Sequence, residues 1–203
     1  MSDTPPLADF LPFITATDGL KHIDRANRVV TGTRQENVAE HTWHTSLLAL
    51  LFADAAPPDT DLDRVRDLLT THDLVEIHAG DTVVWDDIPE EDVAAREAAA
   101  AQRLFALLPP AQRDRFAAFA DEFAAQVTVE ARFARALDAL HPMLMSWGAD
   151  AMGHPNDTLT PSRVLTRKRP LIEEFPALWS LAEFVVTSAV ERGLISPDPP
   201  TDG

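Results

Sequence analysis

An all-α fold is predicted from three observations. Apolar residues recur at helical spacing along most of the chain, and no run alternates as a half-buried strand would. Prolines sit at the edges of these segments, as Pro57-Pro58, Pro109-Pro110, Pro161 and Pro176, where they start or stop helices. An alanine-rich stretch before Pro109 has the composition of a long helix.

The elements follow in order. Residues 1–12 read as a loosely ordered lead-in, and a first helix is expected over Leu11–His22. Residues 26–37 are polar, contain Gly32, and read as a connecting loop with no strand. A second helix begins near Val38 and runs through Leu47-Leu48-Ala49-Leu50-Leu51-Phe52 until Pro57-Pro58. Thr60 or Asp61 can cap a third helix carrying His72, Asp73 and Glu76, which Gly80 ends. After a loop over 81–88 containing Trp85, Asp87-Ile88-Pro89 starts a helix to about Leu108. Further helices are expected over 111–126 and after Thr128, the latter carrying Asp138 and kinked by Pro142. A polar loop over 148–160 precedes helical pattern from Pro161 to Arg192 with a break at Pro176. One domain over 13–195 is expected, with a frayed tail over 196–203.

Composition excludes several classes of function. With no cysteine, disulfides, thiolate zinc sites and cysteine nucleophiles are ruled out together. The longest apolar run, Leu47–Phe52, is far too short for a membrane span. Pro5, Pro6, Asp9 and Pro12 break a start that lacks basic residues, so no signal peptide is expected and the address is cytoplasmic. A net charge of −16 opposes nucleic-acid polymers and anionic membranes as partners. It also opposes a phosphate substrate at long range, so local cations must overcome it. Lysine is nearly absent, which leaves guanidinium as the main positive group.

The chemistry concentrates in His72-Asp73-Leu74-Val75-Glu76-Ile77-His78-Ala79-Gly80-Asp81. On a helix, His72, Asp73 and Glu76 share one face, and Asp81 lies just past the glycine stop. Acids crowded on an apolar segment are costly to bury as free charges, and a divalent cation would resolve that cost. Taken alone, such a pair is more often hydrogen-bonded or solvent-facing. Two other segments carry matching chemistry: Glu36-Asn37-Val38-Ala39-Glu40-His41, and Asp138 within an apolar helix.

Together these motifs resemble the HD-domain phosphohydrolases, and most closely the compact 5′-deoxynucleotidases among them. The resemblance spans about Leu20 to Leu144. It implies an HD-type helical bundle, here with additional C-terminal helices, and one divalent ion held by His41, His72, Asp73 and Asp138. A mixed nitrogen and oxygen set suits Mn, Co, Fe, Ni or Zn, and Mg less well. It further implies hydrolysis of a phosphomonoester, with Glu76 holding or deprotonating the attacking water and Asp81 positioning water or protonating the leaving oxygen. The alternative for Glu76 is to orient a ligating histidine.

Arg25 and Arg34 are the candidates for phosphate binding; the tryptophan that can follow this arginine in relatives is Ala26 here. His44 and His141 read as hydrogen-bonded neighbours of ligands, Trp85 as a nucleotide cover or a packing residue, and Arg167-Lys168-Arg169 as a solvated face. The expected substrate is a small phosphorylated molecule, foremost a nucleoside 5′-monophosphate. The alternatives are an HD-type phosphodiesterase, a hydrolase of another phosphorylated metabolite, or a non-catalytic metal-binding regulatory module. A homodimer is compatible with all of these.

Overall fold

A computed structural model describes residues 5–80, 90–148, 151–152 and 155–199. Among the described residues the α-helices are α1 Leu11–Thr17, α2 Val38–Leu51, α3 Leu62–Thr71, α4 Glu76–Ala79, α5 Glu90–Phe105, α6 Pro110–Ala125, α7 Val129–Trp147, α8 Pro161–Ile172 and α9 Pro176–Glu191. Short 3-10 turns extend α1 over Asp18–His22 and join α3 to α4 over His72–Val75. The starts are those the side chains dictate. Asn37, Asp61, Thr128 and Thr160 each accept from a backbone amide three residues on, and proline opens α6, α8 and α9. Gly80 ends α4 at φ 77°, where only glycine is unstrained.

Helix α7 is the central member. Its alanines at 131, 134, 136 and 139 are almost fully buried and let neighbouring helices approach closely. Around it α2, α3, α6, α8 and α9 pack through Leu48, Leu68, Leu69, Ile172, Leu178 and Val186. A second, smaller core gathers Phe13, Leu20, Val38, Leu74, Leu104 and Phe105. The chain passes from one core to the other between Leu69 and Leu74, which sets His72 and Asp73 at the seam. Pro142 does not end α7, which continues to Trp147.

Two expectations need correction. Residues 26–37 are not wholly loop: β1 Asp24–Arg28 pairs antiparallel with β2 Gln35–Asn37. The hairpin escapes pattern reading because the partly buried positions of β1 hold polar residues, Arg25 and Asn27, rather than apolar ones. The third helix is also not continuous through Glu76, because it tightens to 3-10 geometry at the ligand pair. The tail expected to fray is tied down where it is described: Ser196 N donates to Leu159 O at 3.1 Å, and Ser162 N donates to the Asp198 carboxylate.

Candidate metal centre

The site is assembled from four segments, and each is locally fixed. At the start of α2, Asn37 Oδ1 accepts from Glu40 N at 3.0 Å while Glu40 Oε2 accepts from Asn37 N at 3.2 Å. This capping box places His41 in the first turn, fully buried. Its Nε2 lies 3.1 Å from Asp138 Oδ1 and 3.6 Å from Asp73 Oδ2.

His72 is the decisive residue for a metal. Its Nδ1 donates to the Leu69 carbonyl at 2.7 Å, which fixes the ring and leaves the other nitrogen facing the carboxylates. The buried Nε2 lies 3.1 Å from Asp73 Oδ1 and 3.8 Å from Asp138 Oδ1. It makes no hydrogen bond among the described residues. A buried ring nitrogen and two carboxylate oxygens that converge without a hydrogen bond form an arrangement that a divalent ion would satisfy. His41, His72 and Asp73 each offer a ligand atom within 4.8 Å of the others, and Asp138 closes the set through its contacts with both histidines. The four residues fit a divalent ion.

Surrounding groups hold these ligands in place. Burial works against a charge on Asp138, yet His41, His72 and Arg135 keep its carboxyl well below the usual carboxylate range. Arg135 Nη1 donates to Asp138 Oδ2 at 3.0 Å. Against the opposing effect of burial, Asp138 and Glu36 raise the pKa of His41 to about 9. Behind His41 stands His141, fully buried, with the two Nδ1 atoms 3.1 Å apart. Burial and the neighbouring His41 and His44 push His141 down to about 2, so it is neutral. Its Nε2 faces Glu36 Oε1 at 3.7 Å. For His41 to offer Nε2 to a metal, its Nδ1 must donate, and neutral His141 is the acceptor.

The structure brings six of the eight predicted residues together. Arg25 reaches in from β1: its Nη1 donates to Asp73 Oδ2 at 3.2 Å and lies 3.8 Å from Glu76 Oε1. Glu76 thus shares an arginine with a ligand carboxylate. Arg34 is not brought in. It is 55% exposed and clamped by Glu40, with Nη1 donating to Oε2 at 2.7 Å. Asp81 lies outside the described residues, as does Trp85.

Sequence reasoning missed Glu36 and Arg135, and it undervalued His141. Arg135 carried a signal, standing one turn before Asp138. Phe123 of α6 shields the centre, with its ring 5.0 Å from that of His72.

Residues 17–179 match a family model described as an HD domain. The chain belongs to the HD-domain family. It is similar to human 5′-deoxynucleotidase HDDC2, 28% identical over 145 residues, which covers 71% of this chain and 70% of the relative. A predicted metal-dependent phosphohydrolase from Magnetospirillum magnetotacticum MS-1 superposes with a TM-score of 0.83 at 37% identity, covering 94% of this chain and 96% of the other. The cyanophage S-2L HD phosphohydrolase DatZ, bound to dA and one catalytic Zn²⁺ ion, shares the fold alone, with a TM-score of 0.50 at 19% identity over 88% of this chain and 96% of that one.

Proposed function

We propose that this protein is a metal-dependent phosphomonoesterase acting on nucleoside 5′-monophosphates, with deoxyribonucleotides foremost. The observation that carries the reading is the buried Nε2 of His72, which has no hydrogen bond among the described residues and converges with two carboxylates, an arrangement that a divalent ion would satisfy. His41, His72, Asp73 and Asp138 would hold that ion. When bound, it supplies Lewis-acid polarisation of the phosphoryl group and lowers the pKa of a coordinated water. Glu76, partly buried beside Asp73, would hold the attacking water and take its proton. Arg25 would orient the phosphate, since it already spans Asp73 and Glu76. Arg34, held by Glu40, is released from that role. Asp81 is assigned the proton for the leaving 5′-oxygen.

Human 5′-deoxynucleotidase HDDC2 supports the substrate class. Mn, Co, Fe, Ni and Zn all suit the donor set, and Mg suits it less. A single phosphate is favoured over three, because a charge of −16 penalises each added phosphate. The same charge speaks against nucleic-acid polymers. Among the described residues no helix is long and apolar enough to cross a membrane. A cytoplasmic setting and a homodimer are part of this proposal. The test is phosphate release across matched mono- and triphosphates of ribose and deoxyribose, with each metal in turn. Faster cleavage of triphosphates, or activity only on cyclic or dinucleotide substrates, overturns the monophosphatase reading.

A further inference from the structure

The run Arg167-Lys168-Arg169 on α8 is a solvated face for only two of its three cations. Arg167 and Arg169 are exposed, whereas Lys168 is 8% exposed. It stands at the centre of the buried stripe of α8, one turn from Val164 at 1% and one turn from Ile172 at 0%. Helix α8 packs on α7, the helix that carries Arg135 and Asp138. The stem of Lys168 is buried, while its Nζ keeps contact with solvent. Lys168 makes no hydrogen bond and no ion pair among the described residues. Burial lowers its pKa to about 8, and the next influences are the charges of Asp138, Arg135, Arg167 and Arg25. Three of those four belong to the metal centre.

Composition sharpens the point. Of seventeen lysines and arginines only two are lysines, Lys21 and Lys168. Lys21 is exposed and paired with Asp18. This chain builds its surface charge from arginine, yet it holds a lysine inside. The other cations at the centre are taken up by its own carboxylates: Arg25 bonds Asp73, and Arg135 bonds Asp138. The carboxylates of Glu36, Asp73, Glu76 and Asp138 are offset by a divalent ion together with Arg25 and Arg135, so the charge of an incoming phosphate dianion is still unmatched.

We propose that Lys168 is a substrate-binding residue whose ammonium donates to the phosphate group of the phosphomonoester at the metal centre. The proposal rests on the phosphomonoester reading above for its substrate class. A compact ammonium on a flexible stem suits non-bridging phosphate oxygens approached from one side. It also gives the C-terminal helices a task, since α8 becomes a wall of the site.

The test uses Mn²⁺-loaded protein and inorganic phosphate as the probe, followed by titration calorimetry. Lys168→Met is expected to keep its metal, melt no lower than wild type, and bind phosphate about 10–100-fold more weakly. Lys168→Gln, polar but uncharged, is expected to bind as weakly, and Lys21→Met to match wild type. Unchanged phosphate affinity in Lys168→Met overturns the proposal. So does a loss of affinity accompanied by loss of metal or a lower melting temperature, which would make the lysine structural. Full affinity in Lys168→Gln overturns it as well, since charge would then be dispensable. The two readings fail separately. Lys168-dependent phosphate binding without release from any nucleoside monophosphate removes the proposed activity and keeps Lys168. Hydrolysis and phosphate binding indifferent to Lys168→Met keep the activity and remove Lys168.

Discussion

His41 and His141 face each other through their Nδ1 atoms at 3.1 Å, both wholly out of water. Only one proton fits between those nitrogens, and a metal on His41 Nε2 requires it to belong to His41. His141 is therefore a positioning residue. His141→Phe is expected to weaken metal affinity about 10–100-fold. His141→Gln, whose amide oxygen can accept, is expected to recover part of it. Metal titration of the apo-protein checks both, and equal affinity in all three proteins contradicts the role.

Glu76 separates chemistry from metal holding. It neighbours Asp73 without being needed to complete the four-ligand set. Glu76→Ala is expected to retain about one ion per chain and to lose turnover by about 10²–10⁴-fold. Elemental analysis and a phosphate-release assay on the same sample decide the matter. Metal loss would move Glu76 into the ligand set.

The two arginines should part company. Arg25 is buried among the carboxylates of the centre, whereas Arg34 is clamped at the surface by Glu40. Arg25→Ala is expected to raise KM at least about 10-fold, with Arg25→Lys rescuing only partly because it lacks the planar fork. Arg34→Ala is expected to leave kcat and KM within about twofold, and to cost a little stability at the α2 cap. Equal effects of the two alanines on KM would show that the surface pairing of Arg34 gives way in the working enzyme.

Lys168 also predicts a pH dependence of stability. Burial lowers its pKa from 10.5 unfolded to about 8 folded. Between those values the unfolded chain binds more protons, so stability rises with pH over that window. The penalty is fully present below about pH 8. Metal-loaded Lys168→Met is therefore expected to melt several degrees above wild type near pH 7, with the gap narrowing toward about pH 9.5. The metal must be present: without it His41, raised to about 9, titrates in the same window and loses stability as pH rises. A pH-independent gap in thermal melts would contradict the assignment.

Much of this was legible in the residues themselves. The cap at Asp61, the helix start after Thr128 and the prolines at 110, 161 and 176 placed helix starts to within a residue or two, because capping is a local effect. The ligand pair announced itself by packing an acid and a histidine into an apolar helix. Tertiary choices were not legible. The spacing of Arg25 and Arg34 could not say which would turn inward, since Glu40 captures one and Asp73 the other. The 3-10 turn at His72–Val75 answers to the seam between two cores rather than to propensity. Lys168 was hidden by its neighbours, two exposed arginines that made the whole run look wet.

The order of the ligands along the chain has a consequence for biogenesis. His41 comes from α2, His72 and Asp73 from the turn after α3, and Asp138 from α7 near the middle of the bundle. A growing polypeptide thus carries only fragments of the binding set until α7 has emerged and docked. Fragments of two or three ligands compete poorly with water and with cellular chelators. On the proposed ligand set the ion would be acquired late, by a nearly finished structure whose shape has already fixed the distances. Cofactor choice then depends on which cations are at hand when synthesis ends, and an empty molecule should be more open to proteolysis than a loaded one.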